Sequence, residues 1–227
     1  MHESGKNLNI VKSELKARII AEAMKAFTTK GIKGVTMDDI AADLGISKRT
    51  LYETFADKET ILIECVKQQE KDKEIFSAKI LAESDNVLEV ILKFYEATIE
   101  AYHKVDIRFF EDIKKYPKVN ELLRQNSEKN HSEVIAFFMR GVDQGLFRDD
   151  VNFEIVNILV REQFYFLLKT EIFKTFSFIE VYESIVFTFL RGILTKKGQN
   201  ILESFIRNHR EYKNEDIKTD LSYEKDE

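Results

Sequence analysis

Lys48, Arg49, Thr50, Tyr52 and Thr54 bring two cations, two small hydroxyls and a phenol together within seven residues. Such groups donate and accept hydrogen bonds at phosphates and at the edges of base pairs. Leu51 and Phe55 lie one turn apart in the same stretch. A helix from Lys48 to about Thr54 that buries those two leaves the polar set on or beside its outer face. Ser47 is the N-cap of that helix. Just upstream, Thr36 with Asp39 three residues on has the form of a capping box, and Ile40, Ala41 and Leu44 make one apolar face of the helix it opens. Gly45 can take the left-handed conformation that ends a helix, and Ile46 then turns into the core. Thr36 to Phe55, TMDDIAADLGISKRTLYETF, reads as helix, tight turn, helix, a geometry that lays its second helix in a major groove. The same arrangement also occurs in ordinary helical proteins, so spacing alone leaves both uses open.

The flanking segments fit a small DNA-binding head. From Ser13 to Lys30 the residues Leu15, Ile19, Ile20, Ala23, Met24 and Phe27 form a 3.6-residue apolar stripe, and Gly31 and Gly34 close that helix. Residues 1 to 9 are polar and read as a loose arm. Asp57 is the N-cap expected for a fourth helix, which puts Lys58 at its first position. A cation there opposes the helix dipole, and it makes sense where the ammonium and the free N–H groups point together at a DNA phosphate.

Thr36, Ile40, Ala41, Leu44, Gly45, Ser47, Thr50, Leu51, Tyr52, Phe55, Lys58 and Glu59 together resemble the DNA-binding domain of the TetR family of bacterial transcriptional regulators. The likeness covers about a fifth of the chain, and it implies that Lys58 contacts phosphate. The DNA-contacting set is then expected to be Thr36, Ser47, Lys48, Arg49, Thr50, Tyr52, Thr54 and Lys58. Thr36, Tyr52 and Lys58 hold phosphates, Lys48 and Arg49 reach guanine or phosphate, and Thr50 and Thr54 meet bases or methyl groups. Glu53 departs from the basic or aromatic residue of many relatives; it either accepts from cytosine or faces away.

The expected fold is all-α: an N-terminal three-helix helix-turn-helix domain followed by a helical ligand-binding and dimerisation domain. The boundaries are 10–57 for the head, 58–213 for the effector-binding and dimerisation body, and 214–227 for an acidic tail, read as disordered, with 6 Asp+Glu against 2 Lys. Helices are expected at about 87–104, 106–115, 118–140, 152–174, 179–196 and 198–212. With 227 residues, 44% of them hydrophobic, the chain can bury a full core. Its net charge of −5 divides unevenly. Residues 1–58 hold 10 Lys+Arg and 8 Asp+Glu, and the remainder holds 25 and 32, so affinity for DNA must come from placed contacts and two copies of the head rather than from a basic surface. The single Cys65 makes no internal disulfide, and there is neither a signal-peptide core nor an apolar run of about 18 residues. A soluble, cytoplasmic protein is expected.

Two features of the body carry function. Residues 153–173 are apolar on nearly all sides, and Ser184, Thr188 and Gly192 fall in one row of small residues on the helix that follows. Val160, Leu167, Ser184, Thr188 and Gly192 are therefore expected in a homodimer interface, a four-helix bundle of two helices from each subunit. That is also how TetR-like dimers are built. A buried central helix in a monomer is the other reading. The body also holds 16 of the 18 phenylalanines. An effector pocket could draw on Tyr95, Tyr102, Arg108, Phe109, Phe138, Gln163 and Phe164, although aromatic stripes at helical spacing are more often core. The resemblance implies a small-molecule effector of unknown identity, and the aromatic residues make a largely apolar one the expectation.

No catalytic residue, metal site or cofactor is expected. The four histidines are dispersed, and HExxH, CxxC, P-loop, GxGxxG and GxSxG patterns are absent. A Glu-x-x-His spacing such as that of Glu128 and His131 is by itself a chance match to a di-iron ligand pair. The expectation is a ligand-responsive transcriptional regulator, a repressor, that binds a palindromic double-stranded operator as a homodimer. The alternative is a helical small-molecule-binding or interaction protein that does not bind DNA specifically.

Overall fold

A computed structural model describes the backbone of residues 2–129 and 131–208, and the side chains from Ile10 onward within them except those of residues 127, 164, 165, 168 and 169. The helices are α1 (His2–Lys30), α2 (Met37–Asp43), α3 (Lys48–Thr54), α4 (Lys58–Ala82), α5 (Val87–Tyr102), α6 (Ile107–Ile113), α7 (Pro117–Glu128), α8 (His131–Asp143), α9 (Phe153–Lys169) and α10 (Phe178–Ile193). A 3-10 turn (Ile172–Lys174) lies between α9 and α10, and a last helix, α11, spans 196–208. Among the described residues the only β pairing is an isolated antiparallel bridge between Phe147 and Leu194.

Local chemistry sets the head. Ile19, Ala23 and Phe27 recur on one face of α1 and are fully buried, and α1 ends at Gly31, which has φ +76°. Thr36 and Asp39 form the expected capping box at the start of α2. At the end of α2, Ile46 N–H donates to the Ala41 carbonyl and Gly45 N–H to that of Ala42, both at 3.0 Å. This paired closure needs the left-handed backbone that Gly45 supplies at φ +64°. Ser47 caps α3, and Asp57 caps α4. Leu51 and Phe55 are buried and pin α3 to the core, so its other face is outward.

The apolar core does not break at residue 57. One cluster joins α1–α4 to Phe109, Phe110 and Ile113 of α6, Val119 of α7, Phe173 and Val181. A second, at the far end, gathers Val87, Leu88, Phe138, Leu146, Phe147, Phe153, Leu190 and Leu202. α4 leaves the head and runs into the body, packing on α1, α5 and α7.

Four expectations about elements are corrected. Residues 2–9, read as an arm, continue α1; no proline interrupts them, and a helical ladder needs no buried side chain. The segment 118–140 is two helices, Pro117–Glu128 and His131–Asp143, and Asn126 and Ser132 near their adjoining ends are of types whose side chains compete for helical backbone bonds. The segment 152–174 ends as α-helix at Lys169, because Thr170 takes an extended conformation suited to its branched Cβ. α10 stops at Ile193, because Leu194 is extended in the bridge to Phe147. The 214–227 tail lies outside the described residues.

Candidate nucleic-acid interface

The outward face of α3 carries Lys48, Arg49, Tyr52 and Glu53, all exposed, while Thr50 and Thr54 are half-buried at its edges. Thr36 and Ser47 are exposed beside it. The structure thus brings the expected residues of α2 and α3 to one surface. The serine and threonine hydroxyls each have a local partner. Thr36 Oγ1 donates to Asp39 Oδ2 at 2.7 Å and accepts from Asp39 N–H at 3.1 Å. Ser47 Oγ and Thr50 Oγ1 lie 2.8 Å apart, and Thr54 Oγ1 donates to the Thr50 carbonyl at 2.9 Å. A hydroxyl keeps acceptor capacity in such bonds, so these contacts orient the groups without consuming them.

The cations are also held. Lys48 Nζ pairs with Asp38 of α2, and that carboxylate raises the lysine pKa. Arg49 Nε donates to Glu53 Oε1 at 2.7 Å, one turn along α3. Asp39 is held below the usual carboxylate range by the Thr36 hydroxyl and N–H, which keeps the cap ionised. Neither Asp38 nor the Arg49–Glu53 pairing was among the expected site features. The Arg49–Glu53 spacing was visible in the sequence; the contact from Lys48 back to Asp38 depends on how α2 and α3 cross.

Lys58 stands apart. Its Nζ donates to the carbonyls of Ile32 and Val35, both at 2.7 Å, and burial lowers its pKa, opposed by the charges of Asp112 and Asp39. Here the ammonium closes the loop between α1 and α2. That loop is the last segment before the Thr36 cap. From its other side Lys33 N–H donates to Asp112 Oδ2 of α6 at 2.7 Å, and Asp106 N–H donates to the Thr28 carbonyl at 2.7 Å. Among the described residues Asp112 is the one buried charged residue. A Cβ at Gly31 would meet Arg108 Cβ at 2.7 Å, so the loop rests directly on α6.

The residues suggested for an effector pocket are not gathered around one cavity. Tyr95 is buried with its hydroxyl on Glu183 and its ring 4.8 Å from that of Phe187. Tyr102 stacks 4.8 Å from Phe178. Phe109 belongs to the first core cluster and Phe138 to the second. Arg108 is exposed and forked on Asp106, with Nε and Nη2 each at 2.8 Å, at a crevice between the loop and α6 that Lys30, Lys33, Glu111 and Asp112 also line. Gln163 borders an open groove of about 340 Å³ walled by Phe166, Leu167, Ile172, Phe176 and Val181. The side chain of Phe164 lies outside those described.

Ser184, Thr188 and Gly192 do form an exposed row on α10, and a Cβ at Gly192 would meet nothing. Leu167 faces its own core instead, and Val160 is half-buried. Ile155, Leu159 and Phe166 of α9 are 54–60% exposed, an apolar row that the sequence reading did not separate from the buried face. Phe166 and Ser184 border the same groove, so the two rows are adjacent. Among the described residues no three His, Cys, Asp or Glu side chains are grouped for a metal.

Residues 19–65 match the family model of bacterial regulatory proteins, tetR family. The chain is 35% identical over 101 residues to the uncharacterized HTH-type transcriptional regulator YvaF of Bacillus subtilis (strain 168), covering 44% of this chain and 52% of that one. The match therefore spans about half of that relative's length. It is 23% identical over 153 residues to the HTH-type transcriptional repressor KstR2 of Mycobacterium tuberculosis (strain CDC 1551 / Oshkosh), covering 65% and 76%. Among solved structures, the TetR family transcriptional regulator PfmR of Thermus thermophilus superposes with a TM-score of 0.52 at 27% identity, over 77% of this chain and 97% of that one.

Proposed function

We propose that this chain, which belongs to the TetR family of bacterial regulatory proteins, is a ligand-responsive transcriptional repressor that binds a roughly palindromic operator as a homodimer. The observation that carries the reading is α3, pinned inward by Leu51 and Phe55 and presenting Lys48, Arg49, Tyr52 and Glu53 outward at the end of a helix-turn-helix. Each subunit lays α3 in a major groove. The dimer two-fold then places the two copies in successive grooves, about 34–36 Å apart. Thr36, Ser47 and Tyr52 fix the docking angle on phosphates, while Lys48, Arg49, Thr50 and Thr54 address base edges. Lys58 acts through the α1–α2 loop that it closes.

Dimerisation uses the adjacent rows on α9 and α10. Ile155, Leu159 and Phe166 supply apolar area, and Ser184, Thr188 and Gly192 let the partner helices approach closely. Such an apolar surface on a charged protein marks an interaction site. A small apolar effector that favours a dimer whose heads are too far apart for one helical repeat lowers DNA affinity by its differential binding. α4 and the clasped loop carry that change to α2 and α3. No helix among the described residues is long and apolar enough to cross a membrane; we place the protein in the cytoplasm, where the operator is.

Selection of bound sequences from a random duplex pool with the purified full chain tests this reading. An enriched inverted repeat, with affinity falling steeply as salt rises, is the expected result. Weak binding to every duplex alike overturns it. That outcome favours the second reading, an interaction or small-molecule-binding protein without specific DNA binding, which draws its support from the pairing of Lys48 with Asp38 and of Arg49 with Glu53.

A further inference from the structure

We propose that Arg49 and Glu53 act as one unit that reads a G·C base pair, with Glu53 a specificity-determining residue. The inference rests on the operator-binding reading above and adds what the recognition helix reads.

The pair is poorly explained by stability. The gain from an exposed i,i+4 ion pair is small, and the order here, cation first and anion four residues later, is the less favourable one. Lys48 and Arg49 occupy the first turn of α3 and Glu53 its last, against the helix dipole at both ends. The Arg49 and Glu53 side chains are 87% and 62% exposed, so no core contact demands them. A carboxylate on the surface that approaches DNA also repels phosphates. A group that costs both helix stability and general DNA affinity fits a role in discrimination.

The geometry supplies that role. Arg49 Nε is committed to Glu53 Oε1 at 2.7 Å, which leaves Nη1 and Nη2 as two donors and Oε2 as an acceptor on two exposed side chains. In the major groove a G·C pair presents two acceptors, guanine N7 and O6, followed by one donor, cytosine N4–H. Donor, donor, acceptor on the protein meets acceptor, acceptor, donor on the base pair. An A·T pair presents N7, then the N6–H donor, then thymine O4. There the second arginine donor faces a donor and the carboxylate faces an oxygen, so two groups lose their partners. Lys48 pairs with Asp38 and does not compete for Glu53.

The test selects operators in parallel with the wild-type full chain and with Glu53→Gln, Glu53→Ala and Arg49→Ala, each first shown to melt at the wild-type temperature. It then measures affinity for the selected duplex and its single-base variants. The wild type is expected to enrich an inverted repeat with one invariant G·C pair per half-site. Glu53→Gln and Glu53→Ala keep the repeat but lose roughly ten-fold of the discrimination at that pair, and they bind unrelated duplexes more tightly because a negative charge is gone. An inverted repeat selected by the wild type and returned with unchanged base preferences by both Glu53 variants overturns the inference and leaves the operator-binding reading standing. No inverted repeat with the wild type overturns both.

Discussion

The N–H of Lys33 donates to Asp112 Oδ2 at 2.7 Å, a single hydrogen bond that joins the loop ahead of the DNA-reading helices to α6 of the body. Lys58 reaches the same loop from α4 through the carbonyls of Ile32 and Val35. The loop is clasped from both sides, and whatever moves α4 against α6 moves the start of α2.

Asp112→Ala leaves the Lys33 N–H without its partner, at a cost of about 1–3 kcal/mol. Asp112→Asn keeps an acceptor and is expected to cost less. Hydrogen exchange at residues 31–36 should rise in the alanine variant and stay close to wild type in the asparagine one. Equal protection in all three would show that the bond does not hold the loop.

Lys58→Ala removes the ammonium that bridges the Ile32 and Val35 carbonyls and leaves the Ile32 carbonyl only its 3.4 Å bond from the Val35 N–H. Thermal unfolding is expected to fall by about 2–4 °C for each kcal/mol lost, and affinity is expected to drop alike on every DNA sequence. A variant that binds DNA less well but melts with the wild type would return Lys58 to direct phosphate contact.

Several carboxylates cap helices in their charged form. The Thr36 hydroxyl lowers Asp39, the Thr60 N–H lowers Asp57, and the Arg108 side chain takes Asp106 down to about 2. With folded-state values below unfolded ones, their stabilisation is complete above the ordinary carboxylate range near 4. It is lost as pH falls through the lowered values, toward about 2 for Asp106. Urea midpoints should therefore decline over that window, and Asp106→Asn should flatten part of the decline. An unchanged profile in Asp106→Asn would contradict the assignment.

Burial raises the Cys65 thiol to about 12, with Sγ 3.4 Å from the Ile20 carbonyl. The native protein should resist alkylation at neutral pH and react only when α1 and α4 separate. Its labelling rate should follow the fraction unfolded across a denaturant titration. Rapid labelling of the native chain would be inconsistent with that packing.

Phe166 is 60% exposed on the row assigned to the dimer. Phe166→Glu and Leu159→Glu are each expected to weaken self-association roughly ten-fold or more with little change in helicity, as read by sedimentation and circular dichroism. Unaltered self-association in both would move the interface elsewhere.

The head was legible because its determinants are local. Thr36 with Asp39, Leu44-Gly45-Ile46 and Ser47 before α3 are decided within a few residues by caps and one left-handed glycine. Contacts across long sequence gaps were not legible. Asp112 lies on a short helix, IRFFEDI, whose pattern gives no sign that its carboxylate serves Lys33, 79 residues away. The Asp57 cap placed Lys58 at a helix start correctly, but the dipole argument built on it could not know that two carbonyls lay within reach. In the body, hydrophobicity all round α9 hid which side met the core: Leu167 does, and Phe166 does not. Aromatic content likewise gave no sorting of Tyr95, Phe109 and Phe138, which fall in separate packing environments.

The most direct test of the central claim is the mass of the complex formed on the selected duplex, measured by sedimentation before and after about half a helical turn, some 5 base pairs, is inserted between the half-sites. Two chains on the original duplex and loss of that complex on the spaced one are predicted. A single chain bound equally well to both would contradict a dimeric, groove-spanning regulator.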